Sequence, residues 1–448
     1  MSVYRAGLWL YLSSIAASLG GYLFWFVAAA SVRTAVLGEV AYAVSLASIA
    51  TTLLTLGVPT AMMRLWPATR DRGYAEGALA FTAAAGAASL LLALWRPVLA
   101  LLALSGLLSS YYTAYFQTTY NTRPVFYATV VGQAARIAAV PLLAHMGPDA
   151  LAATYSLPGL LLAALGAASS RLKPRLFGVR ELAEAGFSVW LPGAVSVLGT
   201  NLGVVAAYNL ARPEVAGYVY IAQILAGAAV GPSTIVTGVL LPYLSSSQDP
   251  EAAAVKAYRL SLAISIPLAA MLITGGARFL SILGSQYAEA ADALAVFAAA
   301  NLVGLAAGSL GNLAYARGAY LFYLAVGLAA NATRIALYAV LGSTDVGVAS
   351  SSLAGTAVSL LYAARCGSAA RRMAAVTPGA LLAALPALAA APFGIAPALA
   401  GATVGYALAV RLGLVSRSEL AEFAQQVLPT SLYLRIAPVA SKLLDVLD

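Results

Sequence analysis

Long apolar runs separated by short polar segments dominate the hydropathy pattern of the chain. About fourteen of these runs approach or exceed the roughly 20 residues that a helix needs to cross a membrane. Apolar residues continue through each run without the alternation of barrel strands, so the pattern predicts helices. The predicted spans are 7–31, 36–61, 75–94, 97–117, 124–146, 150–169, 187–209, 214–242, 254–277, 289–312, 319–342, 346–366, 378–393 and 395–412. The sequence therefore predicts an all-α integral membrane protein.

Composition supports lipid as the main solvent of this chain. Of its 448 residues, 62% are hydrophobic and 9% are charged, whereas a soluble domain is about a quarter charged. This excludes a soluble enzyme and a disulfide scaffold. Cys366 and His145 are the only residues of their types, so we expect no metal ion and no other cofactor. The net charge of +9 is typical of basic cytoplasmic loops and does not require a nucleic-acid partner.

Lysine and arginine residues are distributed unevenly between the two sides of this predicted topology. With the N-terminus in the cytoplasm, most of them fall in loops on the inner side. The outer side holds Arg33, Arg96, Arg212 and Arg278. We therefore expect a multi-pass protein of the cytoplasmic membrane with both termini inside.

The two halves of the chain resemble each other. Aligning Arg33 with Arg212 also aligns Gly38 with Gly217. Further along, the tripeptide 136–138 is identical to the tripeptide 334–336. Each half has an even number of predicted helices, so both halves cross the membrane in the same direction. Halves related by an axis along the membrane normal are typical of transporters.

This repeat predicts the organisation of the whole chain, with two pseudo-symmetric six-helix lobes and an extra helix pair. The predicted parts are an N-terminal lobe (1–170), a cytoplasmic linker (171–186), a C-terminal lobe (187–367), the extra pair (368–414) and an amphipathic cytoplasmic tail (415–448).

Short motifs of the first helices resemble those of a known transporter superfamily. The motifs are Gly7-Leu8-Trp9-Leu10, Leu19-Gly20, Leu37-Gly38-Glu39-Val40-Ala41-Tyr42 and Leu56-Gly57-Val58-Pro59 before Arg64. The chain is similar to the polysaccharide-biosynthesis (Wzx-like) branch of the multidrug/oligosaccharidyl-lipid/polysaccharide (MOP) flippase superfamily. The resemblance implies two lobes around a central cavity, alternating access, and a polyprenyl-linked glycan as cargo. The expected partners are this glycan, membrane lipid and a coupling ion, either Na+ or H+, and we expect a monomer.

Two arginines in the membrane provide an independent indication of cargo chemistry. Arg136 and Arg334 lie deep in predicted helices at equivalent positions of the two halves, and no Asp or Glu lies at the same depth. Because charge inside a membrane is costly, such residues face a cavity or a partner. A guanidinium binds phosphate through two parallel hydrogen bonds. Both arginines are therefore candidates for binding a diphosphate or an acidic sugar, and the alternative is a structural role in capping helix carbonyls.

Other polar residues at similar depth are further candidates for substrate binding. Gln133 and Asn331 each precede a buried arginine by three residues and share its helix face. Tyr22, Asn201 and Gln223 lie on helices that line the cavity in proteins this chain resembles. Each of these side chains also fits an interhelical hydrogen bond.

Charged pairs at the predicted outer mouths are candidates for a gate. Arg33 precedes Glu39, and at the equivalent place in the second half Arg212 precedes Glu214. These residues could form an outer gate of salt bridges, although ordinary loop charges would give the same pattern.

The leading hypothesis is a flippase that moves a lipid-linked oligosaccharide, with a polyprenyl phosphate or diphosphate carrier, from the inner to the outer leaflet. No phosphate-binding loop for ATP is present in the sequence, so we expect a transporter and not an enzyme. The alternatives are a drug or cation antiporter of the same fold, an integral membrane glycan polymerase or ligase, and an inactive relative with a structural role. The antiporter requires a deep carboxylate, and the polymerase or ligase requires a large outer loop.

Overall fold

The computed structural model describes residues 3–233, 240, 244 and 247–415. These residues form α-helices joined by short 3-10 turns and loops. The helices are α1 (Val3–Ser31), α2 (Thr34–Thr55), α3 (Val58–Thr69), α4 (Gly73–Ser89), α5 (Pro97–Thr118), α6 (Arg123–Leu143), α7 (Pro148–Ala153), α8 (Leu157–Ser170), α9 (Val179–Leu210), α10 (Pro213–Val230), α11 (Pro250–Ser281), α12 (Ala291–Ala316), α13 (Tyr320–Leu341), α14 (Asp345–Val358), α15 (Gly367–Ala390) and α16 (Ile395–Arg411).

These helices are long and apolar enough for a multi-pass membrane protein. Thirteen helical segments of the described chain could cross a membrane by length and composition, and Ile395–Arg411 is a shorter apolar helix after them. The prediction of an all-α membrane protein with about fourteen spans is therefore confirmed. The amphipathic tail predicted for 415–448 lies outside the described residues, apart from its first residue.

Several boundaries differ from the hydropathy prediction. The predicted span 36–61 is broken after Thr55, because Leu56 and Gly57 adopt left-handed φ angles of 43° and 71°. The backbone of Gly57 also lies against the backbone of Gly186, so a side chain at Gly57 would overlap a carbonyl group. Glycine is the residue that tolerates both this conformation and this close approach. Hydropathy does not reveal such a break, because Leu and Gly continue an apolar run.

The helices separate into two compact units. The first unit comprises Met1–Ile221 and Arg334–Val348, and the second comprises Ala222–Thr333 and Ala349–Asp448. In the first unit, α1 packs along α6, α2 packs against α5 and α9, and α8 packs against α5 and α6. These contacts arrange α2, α5, α6, α8 and α9 around a common interior.

The predicted linker lies inside the first unit. Residues 171–177 form a non-helical segment, and α9 begins at Val179. Phe177 packs edge-on against Tyr74 of α4, with ring centroids 5.2 Å apart. The amide of Arg175 donates to the carbonyl of Glu76. The segment is therefore fixed on α4, and α9 packs with the helices of the first half of the sequence.

The start of α2 crosses the start of α10 at a very short distance. A methyl group on Gly38 would overlap the carbonyl of Pro213, and one on Gly217 would lie 2.6 Å from the carbonyl oxygen of Thr34. Gly38 and Gly217 are the pair that the internal repeat aligns. Equivalent residues of two related halves contact each other when they lie close to the axis that relates them.

The second unit is built around α11, which packs against α12, α15 and α16. The last two helices pack against each other through small residues. A methyl group on Gly401 would overlap the carbonyl of Pro386, and one on Gly405 would lie 2.5 Å from the carbonyl oxygen of Ala383. The region predicted to hold an extra helix pair therefore contains two closely packed helices.

A polar network joins three helix ends of the second unit. Glu251 at the start of α11 forms an ion pair with Arg317, which follows α12. The hydroxyl of Ser368 donates to the other carboxylate oxygen of Glu251 at 2.6 Å. Arg317 also donates to the carbonyl of Arg365. The network fixes the start of α15 beside the start of α11.

Candidate functional site

A cavity of about 520 Å³ lies within the first unit. It is lined by residues of α2, α5, α6, α8 and α9 and by Tyr155, which precedes α8. Its polar lining residues are Ser48, Thr51, Thr52, Ser105, Ser109, Gln133, Arg136, Tyr155 and Asn201. Three of the sequence-predicted residues, Gln133, Arg136 and Asn201, are therefore brought together on one cavity.

Arg136 is the basic residue of this cavity. It is 3% exposed, and its guanidinium carbon lies 4.3 Å from the ring centroid of Tyr155 and 4.8 Å from that of Phe24. The two rings meet edge to face at 5.3 Å and form a corner against which the guanidinium packs. No acidic residue lines the cavity. Within the described ranges, Arg136 forms no salt bridge and its Nε has no hydrogen-bond partner.

The aromatic corner stabilises the cation without neutralising it. Placing an arginine at the centre of a spanning helix costs at least about 2.5–3.5 kcal/mol. Each cation–π contact contributes about 0.5–2 kcal/mol, so two contacts offset much of this cost. An aromatic ring carries no net charge, however, so the cavity retains the positive charge of Arg136. The described contacts of Arg136 are with aromatic rings and not with helix carbonyls. They therefore do not support the alternative role of capping helix carbonyls.

Gln133 is fixed by the close approach of α1 to α6. A methyl group on Gly20 would lie 2.7 Å from the Cβ of Gln133. The amide nitrogen of Gln133 donates to the carbonyl of Ala17 at 3.4 Å. Its amide oxygen is buried and has no partner among the described residues. This oxygen is an unpaired acceptor of a residue that lines the cavity.

A chain of aromatic residues holds Tyr155 in position. The indole nitrogen of Trp25 on α1 donates to the hydroxyl of Tyr155 at 3.1 Å. The ring of Trp25 also packs against Tyr220 of α10, with centroids 4.3 Å apart. The orientation of the ring that contacts Arg136 therefore depends on α1 and on the first half of α10.

The hydroxyl groups of the cavity mostly present acceptors. The hydroxyls of Thr52 and Ser105 donate to the carbonyls of Ser48 and Ser156. The side-chain amide of Asn201 donates to the carbonyl of Val197 at 3.0 Å. With these hydrogens used, the oxygen atoms remain able to accept hydrogen bonds. Arginine supplies charged donors, and the surrounding residues supply acceptors, a combination suited to a ligand with an anionic group and hydroxyl groups.

The other predicted binding residues lie elsewhere. Arg334 belongs to the first unit and is half-buried, but it does not line this cavity. The side-chain amide of Asn331 donates to the carbonyl of Gly327, one turn earlier on the same helix. Tyr22 and Gln223 are half-buried, and neither lines the cavity. Repeat symmetry placed the two arginines at equivalent positions, yet only Arg136 lies on this cavity.

Of the four candidate gate residues, Glu39 forms an ion pair with an arginine outside the candidate set. Glu39 pairs with Arg96 at 3.6 Å, and Arg96 also pairs with Asp149. Six residues along a helix correspond to one and two-thirds turns, so Arg33 and Glu39 do not share a face. Within the described residues Arg33, Arg212 and Glu214 form no salt bridge. The segments that carry them nevertheless meet at the crossing of Gly38 and Gly217.

Sequence reasoning missed the residues that shape this cavity. Tyr155 and Phe24 occur in a chain with many aromatic residues, and Ser48 and Ser109 are ordinary polar positions in apolar helices. The only available signal was their spacing: Ser48 and Thr52 are four residues apart, and so are Ser105 and Ser109, so each pair shares a helix face.

Substitutions of Tyr155 separate its two contacts. We expect Tyr155→Phe to lower stability by about 0.5–1.5 kcal/mol, because the hydrogen bond from Trp25 is lost while the ring remains. Tyr155→Leu should cost a further 0.5–2 kcal/mol or so, because it also removes the ring beside Arg136. Thermal unfolding of the purified variants measures both effects. Equal midpoints for the two variants would show that the ring does not stabilise the cation.

The fold of the chain is shared by solved structures of multi-pass membrane proteins. No sequence profile of a known family matches the chain. No curated protein sequence matches it. Solved structures match over most of their length, and those described below are transporters.

The lipid II flippase MurJ, in its inward closed conformation, superposes with a TM-score of 0.74 at 11% identity, covering 95% of this chain and 99% of that chain. An inward-facing multidrug resistance MATE family transporter of the MOP superfamily gives a TM-score of 0.53 at 14% identity, with 83% and 96% covered. A MOP superfamily transporter from Pyrococcus furiosus gives 0.52 at 14% identity, with 82% and 96% covered. At these identities the similarity establishes the fold, and the chain has the MOP-superfamily fold.

Proposed function

We propose that the protein is a flippase for a lipid-linked oligosaccharide with a phosphate or diphosphate group. The observation that carries the proposal is Arg136, a buried cation that no described carboxylate neutralises, on a cavity lined by hydroxyl and amide groups. The phosphate would bind the guanidinium, and sugar hydroxyls would bind Gln133 and Asn201. The fold shared with the lipid II flippase MurJ supports this cargo class.

Transport would use alternating access without ATP hydrolysis. The cargo would move from the inner to the outer leaflet of the cytoplasmic membrane, while its polyprenyl tail stays in lipid. Both termini would lie in the cytoplasm, and the working form would be a monomer. Binding energy at the cavity would be spent on changing the population of inward- and outward-open states.

The cavity chemistry disfavours a drug or cation antiporter. An exchanger of cations requires a carboxylate that binds the drug and the proton or sodium ion in turn. No Asp or Glu lines the cavity around Arg136, and a guanidinium repels a cationic drug. The fold shared with a MATE family transporter leaves the antiporter as the alternative that an experiment must address.

Reconstitution with fluorescent cargo tests the proposal. The purified protein in vesicles should expose a labelled polyprenyl-diphosphate sugar to a membrane-impermeant quencher on the opposite leaflet. An uncharged lipid that carries the same sugar is the matched control, and it should move much more slowly. Equal rates for both lipids, or proton-coupled transport of a cationic dye without glycan movement, would contradict the proposal.

A further inference from the structure

The positive charge of the first-unit cavity has no counter-charge in the described structure. Arg136 is only 3% exposed. The rings of Phe24 and Tyr155 that contact it are uncharged. No carboxylate lines the cavity. A charge removed from water is stabilised by an opposite charge held nearby. The positive charge of Arg136 is therefore balanced only when an anion occupies the cavity.

The cavity offers further groups that suit an anion. The hydroxyls of Ser48 and Ser109 line it, and within the described ranges neither donates to a protein acceptor. Each hydroxyl can rotate its hydrogen towards a bound anion. The volume of about 520 Å³ accommodates a small anion with several waters, since a water molecule occupies about 30 Å³ of liquid. No Asp or Glu lines the cavity, and the charge of Arg136 repels a cation there.

We propose that this cavity binds one small free anion, a halide or a phosphate-class oxyanion, at Arg136 when cargo is absent. The anion balances the positive charge of Arg136, and the phosphate group of the cargo displaces this anion. Displacement by cargo rests on the proposed function, whereas the anion site itself does not.

Thermal unfolding of the purified full-length protein tests the site. The protein is held in detergent at constant ionic strength, with gluconate as the background anion, and chloride or phosphate replaces gluconate stepwise. A ligand that binds the folded state alone raises the unfolding midpoint in a saturable way. We expect such a rise for at least one of the two anions, and which anion produces it identifies the ligand class.

Variants at Arg136 connect this stabilisation to the cavity. Arg136→Gln should abolish the saturable rise, and Arg136→Lys, which keeps the charge without the fork, should shift it to higher anion concentration. Arg278→Gln, at an exposed position outside the first unit, should respond like the unchanged protein. If Arg136→Gln does not fold, the shift in Arg136→Lys decides. A rise that is unchanged by either substitution, or no rise with either anion, would overturn the proposal.

Competition by lipid distinguishes this proposal from the proposed function. A polyprenyl monophosphate should abolish the anion-dependent rise, and a neutral polyprenol should not. Binding of the lipid phosphate without any effect of free anions would refute the free-anion site and leave the flippase intact. Anion binding at Arg136 with no lipid transport would retain the site and refute the flippase.

Discussion

Replacing Arg136 with Gln should reduce transport of the anionic glycan lipid by about tenfold or more. Removing one partner from a buried charge–charge contact costs about 2–5 kcal/mol, and every 1.4 kcal/mol or so is a factor of ten. Arg136 is the one cation among the cavity-lining residues, so no neighbour there can replace its charge. Vesicle assays with the labelled diphosphate lipid measure the loss.

Two variants make this result specific to charge and position. Arg136→Lys preserves the charge but loses the paired hydrogen bonds, so it should retain part of the activity. Arg278→Gln removes a charge from an exposed position and should transport normally. A fully active Arg136→Gln protein would show that the guanidinium does not contact cargo and that the fold alone supports the flippase assignment.

The sequence was sufficient to predict the membrane class and helix number, because each depends on the length of apolar runs. It also made Arg136 and Arg334 candidates for a functional role, since a charge deep in such a run is costly wherever it lies. It could not separate Arg136 from Arg334, because each begins the same Arg-Ile-Ala tripeptide at an equivalent depth of its half. The difference arises from tertiary contacts: Phe24 and Tyr155 reach Arg136 from distant parts of the chain.

The gate illustrates the same limit. The repeat aligns the segments around Arg33 and Arg212, and the carboxylates that follow them make both segments candidates for an outer gate of salt bridges. In the structure Glu39 pairs with Arg96, which lies nearly 60 residues away in sequence. The contact between the equivalent segments is made by glycine backbone. A glycine in a chain with 39 glycines gives no sequence signal of its own.

Gly38→Ala should prevent the close crossing of α2 and α10 and reduce transport about fivefold or more. The added methyl group would overlap the carbonyl of Pro213, which belongs to the backbone and cannot rotate away. Overpacking of this kind costs about 1–3 kcal/mol, which changes a two-state population by a factor of roughly 5–150. In Gly38→Ala the conformation that contains the crossing becomes rare. Transport falls if alternating access requires this crossing to form and separate in each cycle.

A cysteine at Thr34 reports whether the crossing has opened. Thr34 is 5% exposed, and Gly217 packs against it. In a Cys366→Ala background, Thr34→Cys should react slowly with a membrane-impermeant thiol reagent, and adding Gly38→Ala should accelerate the reaction. Gly193→Ala is the matched control, because a methyl group there meets no atom within 4 Å. If the crossing of α2 and α10 cannot form, Thr34 is exposed and its cysteine variant must react faster. Slow labelling together with normal transport in Gly38→Ala would therefore show that the crossing is a static packing contact.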